Sequence, residues 1–364
     1  MGIALPDIAT LLSPFAQKAK LCIGLDIGSH AVKICELSAT GKGYRLQSLG
    51  SAKLPEGAVE DGALQDPEAV STIIASLLKN LKIKQKEVGI SISGYSVIVK
   101  KINLAVMSEE EMANHIQAEA EQYIPFDIDD VYLDFQDLHT NNEEEEEERT
   151  DVMLVAAKKE VVDGYLEMLR GLGLKPALVD VDAFALENSY GANFGLEENV
   201  ALIDIGASKM NINIISRGAS VFARDVAVGS RQLTEQIQNR LFLGVEKAEE
   251  LKIGKRTADD REEELAEIFA DICLQWLGEI KKALDFYYSN YPDEELEKLV
   301  LSGGGARIQG LDQYLANELE LPVEIFNPFS KLKVDESKVD PSYLAYIAPE
   351  MALATGLASR PVEL

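Results

Sequence analysis

The 364 residues contain only three cysteines, three histidines and one tryptophan. Cys22, Cys35 and Cys273 form no CxxC pair, and each lies in an apolar stretch. They read as small buried hydrophobes of a reducing compartment, which excludes a disulfide framework. The histidines have no ligand spacing, which argues against a His/Cys metal centre. Long apolar runs are also missing: no segment approaches the ~18 residues that a bilayer crossing requires. Basic side chains are the scarcer charge, with 35 Lys and Arg against 62 Asp and Glu, a net charge of −27. Such a surface repels a phosphate backbone and anionic lipid alike, so no nucleic-acid partner is expected and lipid binding by charge alone is disfavoured.

What is present is ordinary for a globular chain, 46% hydrophobic and 27% charged, of a length that suggests two domains. The first 20 residues mix apolar positions with Pro6, Asp7 and Pro14 and read as a short amphipathic lead. It is expected to dock on the body or a partner, with a membrane-surface helix as the alternative. The main internal signal is a repeat. LCIGLDIGSHAVKICEL at Leu21–Leu37 matches NVALIDIGASKMNINII at Asn199–Ile215, with Asp26 and Asp204 at equivalent places. Each copy reads as a β-hairpin with a glycine at its tip, so the chain is expected to contain a duplicated domain.

Between and after the copies, period-2 stretches predict strands at Tyr44–Ala52, Val88–Ser93, Val97–Leu104, Val131–Leu138, Val152–Ala157, Ala177–Val181, Ala219–Arg224, Leu299–Ser302 and Val323–Phe326. Asp66-Pro67 predicts a capped helix start, and Ser108 to Glu111 a capping box. A long helix is expected from about Asp260 to Tyr288. Its stripe of Leu265, Phe269, Ile272, Trp276, Ile280, Leu284 and Tyr287 should be core. The acidic run Glu143–Glu148 reads as a solvated loop tip.

The chemistry concentrates in three places. Glycine lets a backbone approach phosphate oxygens closely, and small-residue hairpin tips present successive N–H groups to an anion. Gly28, Ser29 and His30 form one such tip. Gly206, Ala207 and Ser208 form the other, followed by Lys209 and Asn211. Asp26 and Asp204 stand at the two strand ends, where carboxylates can hold magnesium through water, and Lys33 can reach phosphates. The third place is the strand end Leu299–Ser302 followed by Gly303, Gly304, Gly305 and Arg307. A single Asp-x-Gly hairpin is most often an ordinary turn, and a triple glycine is as easily a packing turn; the three in this order point to a nucleotide cleft. Asp182 is the candidate for orienting a water or acting as base, with a helix N-cap as its structural alternative.

The ordered set LDIGSHAVKI, LIDIGASKMNI and LVLSGGGARIQGL resembles the phosphate and adenosine motifs of the actin, sugar-kinase and heat-shock ATPase superfamily. Gly244–Lys252 is similar to the segment that contacts adenosine there, which implies roles for Glu249 and Lys252. Within the superfamily the chain resembles the PilM family of type IV pilus assembly, most specifically over AEAEQYIPFD (Ala118–Asp127) and VYLDF (Val131–Phe135). These belong to a small subdomain shared with the division protein FtsA.

The resemblance implies an α/β fold of duplicated actin-like (ribonuclease H-like) halves around a cleft for ATP and Mg2+. Half I would comprise 21–87, 175–198 and 345–364, and half II 199–344, with a helical subdomain at about 227–298. The inserted subdomain would occupy 88–174. It further implies that the N-terminal cytoplasmic peptide of PilN binds as an extended segment in a groove beside the insertion. Tyr123, Ile124 and Phe126, apolar and aromatic residues beside acidic ones, are candidates for the rim of its pocket, with packing in the subdomain's own core as the structural alternative. PilO, reached indirectly, the pilus motor ATPases and the platform protein PilC are the further partners implied. The chain ends in SRPVEL without the amphipathic membrane helix of FtsA, so membrane association is expected to be indirect, at the inner face of the bacterial inner membrane. A small-molecule kinase of the same superfamily and an FtsA-like polymerising filament are the alternatives.

Overall fold

The structure is a computed structural model and describes residues 20–41, 43–138 and 149–362. The N-terminal lead and the run Glu143–Glu148 lie outside the described residues. In chain order the first part contains β1 (Ile23–Ile27), β2 (Ala31–Thr40), β3 (Gly43–Lys53), α1 (Pro67–Asn80) and β4 (Glu87–Ile92). Next come β5 (Val97–Ala105), α2 (Glu109–Glu119), β6 (Val131–Asp137), β7 (Arg149–Lys158), α3 (Lys159–Gly171), β8 (Lys175–Val181) and α4 (Asp182–Phe194). The second part has β9 (Val200–Ile205), β10 (Met210–Ser216), β11 (Ala219–Val226), α5 (Ser230–Leu241), α6 (Val245–Lys252), α7 (Glu262–Asn290) and β12 (Lys298–Ser302). It continues through α8 (Leu311–Leu319), β13 (Val323–Ile325), α9 (Pro341–Ile347) and α10 (Ala352–Ser359).

Two five-stranded sheets share one topology, β8-β4-β1-β2-β3 in the first half and β13-β12-β9-β10-β11 in the second. In each, a repeat hairpin and its next strand are antiparallel, and two further strands join parallel to the hairpin's first strand. The sequence repeat is therefore a structural duplication. Local signals are met: the Asp66 side chain caps α1 by accepting from the Ala69 N–H, and Ser108 and Glu111 form the reciprocal capping box of α2. The α7 stripe is core, with Trp276, Ile280 and Tyr287 almost fully buried against the second sheet's Ile203, Ile212 and Ile214. All three cysteines are buried and free.

α10 lies between the halves, packed on α4 and on β1 and β2. The approach is so close that a Cβ on Gly356 would sit 1.7 Å from the Ala185 carbonyl oxygen, so only glycine fits there. Among the described residues no helix is long and apolar enough to cross a membrane.

Two expected boundaries move. Val88–Ile92 lies inside the first sheet, between β8 and β1, and α3 buries Tyr165 and Leu169 in the first half's core. The insertion is therefore narrower than 88–174: it is the three-stranded sheet β5-β7-β6 with α2, rooted where the Lys158 N–H donates to the Ser96 carbonyl. At the other end, half II gives up its tail before 344. Phe329 packs with Cys35, Leu37 and Leu46 of the first half, and Lys333 exchanges backbone hydrogen bonds with Tyr44 and Leu46.

Candidate functional site: a cleft between the duplicated halves

The two hairpin tips face each other across a cavity of about 870 Å³, a size typical of cofactor sites. Their turns are built alike. Gly28 N–H donates to the Ala31 carbonyl at 3.1 Å, and Gly206 N–H to the Lys209 carbonyl at 2.9 Å. The tips touch through Ser208 Oγ, which donates to Ser29 Oγ at 2.8 Å, and Arg231 Nη2 reaches the Ser29 carbonyl at 3.2 Å. The start of α5 supports the second tip from behind, with Ser230 and Arg231 N–H groups on the Gly206 and Ala207 carbonyls.

Among the charged side chains that line this cleft, Lys33, Lys209, Asp26, Asp182 and Asp204 stand at its centre. Lys33 Nζ sits 2.9 Å from Asp26 Oδ2, its cross-strand partner in the β1–β2 hairpin. Lys209 Nζ sits 2.7 Å from Asp182 Oδ2. Among the described residues Asp204 is bonded by a hydroxyl alone, Ser302 Oγ at 2.8 Å. Burial pushes the Asp204 carboxyl up to about 6, against the hydrogen bond from Ser302 and the charge of Lys33. Burial also raises Asp26, opposed by Lys33. At Asp182 burial acts in the same sense, but the Lys209 charge and hydrogen bonds from Lys209, Ser91 and Ser93 outweigh it and hold the carboxyl below its ordinary value. Asp182 is the first residue of α4 and makes no cap; the ion pair replaces that alternative. Burial and the charge of Lys53 lower the His30 imidazole, keeping it neutral near pH 7.

The third motif divides. Gly303 and Gly304 line the cleft, but Gly305 does not. A Cβ on Gly305 would lie 2.4 Å from Ile205 Cγ2, so this glycine serves strand-to-helix packing and not the ligand. Arg307 lines the cleft, pairs with Glu350 at 3.1 Å and stacks over the Tyr346 ring at 4.5 Å, while its Nε is buried without a partner. Glu249 and Lys252 both line the cleft, but the Lys252 ammonium is already engaged by Glu249, Thr234 and the Ser230 carbonyl. Its role is to hold Glu249 and the end of α6 in place.

Sequence reasoning missed Arg231, Thr234, Tyr346 and Asp225. None carries a local motif; each arrives through folding of a distant segment. Asp225 accepts from Asn211 Nδ2 at 2.8 Å and from the Gly94 N–H at 2.5 Å, which ties the root of the insertion to the second half. The Asn211 Oδ1 is buried with no partner. Among the described residues no group of three or more His, Cys, Asp or Glu forms a metal cage. The chemistry of the carboxylates present, Asp204 and Asp26, is compatible with magnesium of the kind held by one or two carboxylates plus phosphate and water.

The profile of the family described as type IV pilus assembly protein PilM matches residues 24–362. The chain belongs to the PilM family. A solved PilM–PilN type IV pilus biogenesis complex is similar at 30% identity and TM-score 0.83, covering 95% of this chain and all of that one. Two more distant structures share the fold: ethanolamine utilization protein EutJ from Carboxydothermus hydrogenoformans and MreB 5 of Spiroplasma citri bound to AMPPNP. The first is 15% identical with TM-score 0.54, covering 97% of this chain and 93% of that one. The second is 13% identical with TM-score 0.53, covering 93% and 95%. The duplicated halves are thus an actin-like fold. In this PilM-family chain, Ile124 is buried in the insertion's own core with Met112, Ile116 and Leu154, so it cannot line a groove. Tyr123 and Phe126 are half-buried against the same core, and Lys158 Nζ stands over the Phe126 ring at 5.0 Å.

Proposed function

We propose that this chain is an ATP-binding adaptor of type IV pilus assembly, acting at the inner face of the inner membrane. There it is recruited by the cytoplasmic N-terminal segment of PilN. The observation that carries the reading is the full-length likeness to a protein solved in complex with PilN. The cleft supplies the nucleotide half. The facing tips and Lys33 and Lys209 would receive a triphosphate, and a Cβ on Gly28 would intrude to 3.2 Å from Lys33 Nζ. Magnesium would supply charge neutralisation of the phosphates, held by Asp204 and, through water, Asp26. PilO through PilN, the motor ATPases and PilC are the further partners of this role.

A kinase or fast ATPase is disfavoured by Asp182. Its lowered pKa and its ion pair with Lys209 make it a poor general base, so the nucleotide acts as a structural ligand and turnover is slow. Titration calorimetry with Mg-ATP tests the nucleotide half, and a steady-state rate above roughly 1 s⁻¹, within the usual enzyme range, would instead favour the kinase. Absence of Mg-ATP binding at millimolar ligand would remove the nucleotide from the role.

A further inference from the structure

Gly303 and Gly304 line the cleft as bare backbone, and Arg307 ends the short 3-10 turn that follows them. The Arg307 guanidinium lies over the Tyr346 ring, 4.5 Å from its centroid, and Nη1 sits 3.1 Å from Glu350 Oε1. Its Nε is buried and has no acceptor among the described residues. Lys255 Nζ stands over the same ring at 4.2 Å. Tyr346 itself lines the cleft and is 41% exposed.

These side chains come from both halves. Tyr346 is on α9, and Glu350 is on the turn Ala348–Met351. Their neighbours Ile347, Ala348 and Met351 pack with Cys35 and Leu37 of the first half. Arg307 stands between Ala306 and Ile308, which belong to the second half's core. Lys255 follows α6 through Gly254, whose φ of +69° turns the chain while its N–H donates to the Leu251 carbonyl. The Gln309 N–H donates to the Lys252 carbonyl at 3.3 Å, which knits the loop of Lys255 to the loop of Arg307. One first-half ring is thus gripped by two second-half cations.

A guanidinium is planar, weakly hydrated and suited to stacking on aromatic faces. It has two faces, and Tyr346 covers one. Buried donors in native proteins are nearly always bonded, so the unpartnered Nε calls for an acceptor on a ligand. We infer that Tyr346 is a positioning residue for the base of the bound nucleotide. It holds the Arg307 guanidinium flat as a shelf on which the base stacks, with Nε offered to an acceptor of the nucleoside, while Lys255 steadies the ring from the second half. This rests on the nucleotide reading above and involves neither the phosphates nor a metal. A base on this shelf lies against parts of both halves and fastens them together at this wall.

The test is titration calorimetry of ATP and of inorganic tripolyphosphate, each with magnesium, into the full chain as wild type, Tyr346→Ala, Tyr346→Phe and Lys255→Met. Tyr346→Ala should weaken ATP by roughly 10-fold, the scale of one lost base-stacking contact, and leave tripolyphosphate unchanged. Phenylalanine keeps the ring face, so Tyr346→Phe should bind ATP as wild type does. Lys255→Met should fall between, since an exposed cation over a ring contributes less. Equal ATP affinity of wild type and Tyr346→Ala overturns the inference and leaves nucleotide binding standing. An equal loss of ATP and tripolyphosphate in Tyr346→Ala also overturns it, because a merely structural role would weaken both. So does a Tyr346→Phe variant as weak as Tyr346→Ala, which would make the hydroxyl and not the ring the working group. If tripolyphosphate gives no heat with wild type, the comparison of Phe with Ala for ATP decides alone. No ATP binding by wild type overturns the nucleotide reading, and this inference with it.

Discussion

The two hairpins of the cleft are copies in backbone but not in charge. Asp26 faces Lys33 across β1 and β2, while Asp204, in the same register of β9 and β10, faces Asn211. The first carboxylate is neutralised inside its own hairpin at 2.9 Å. The second keeps only a hydroxyl and is pushed up by burial. Lys209, the lysine of the second tip, turns away to Asp182. Duplication preserved the turn that presents backbone N–H groups and let the side chains diverge. One tip thus holds a resident cation, whereas among the described residues the carboxylate of the other is paired with no cationic side chain.

Breaking the neutralised hairpin should have the largest effect. Lys33→Met leaves Asp26 buried and unpaired, a change that costs about 3–5 kcal/mol; chemical denaturation should register it as a lowered midpoint with an unchanged slope. The open hairpin should be the sensitive one for ligand. Asp204→Asn is expected to weaken Mg-ATP by about 2–3 kcal/mol, the scale of a charged hydrogen bond, and Asp26→Asn by less. Calorimetry on both variants decides it, and a larger loss for Asp26→Asn would reverse the assignment. Asn211→Lys, which rebuilds the first hairpin's pair in the second, should weaken magnesium dependence specifically. The smallest effects separate the glycines of the third motif. Gly305→Ala should destabilise by about 1–3 kcal/mol through overpacking on Ile205. Gly304→Ala, whose Cβ would meet nothing nearer than Arg307 at 3.8 Å, should leave the melting temperature within a degree or two.

Much of this was legible in the chain. The repeat was readable because an Asp-x-Gly turn between two period-2 stretches constrains backbone and burial at once, and both copies kept it. The capping box at Ser108 and the α7 stripe were readable for the same reason: each is a local pattern with a local cause. Gly305 was misread because glycine answers equally to a ligand's approach and to a neighbour's methyl group. Ile124 was misread because an apolar residue beside acidic ones looks like a pocket rim until its neighbours are known. The insertion's edges were misplaced because the apolar run of β4 does not reveal which sheet it joins. Tyr346 and Asp225 were out of reach altogether, since their roles exist only when segments far apart in the chain meet.

The root of the insertion is fastened from both sides of the cleft. Ser93 bonds Asp182, Gly94 bonds Asp225 on β11, and further out Lys101 on β5 donates to the Tyr291 hydroxyl just beyond α7 at 2.5 Å. The small sheet is therefore strung between the halves like a crossbar, and rotation of one half against the other must tilt it or snap a fastening. A ligand that biased such a rotation would then reach the outer strand, and one that gripped the outer strand would reach the cleft. Thermodynamic linkage makes the two influences equal in free energy. A membrane-tethered segment seated on the small sheet would thus tune nucleotide affinity by the same factor by which nucleotide tunes the tether.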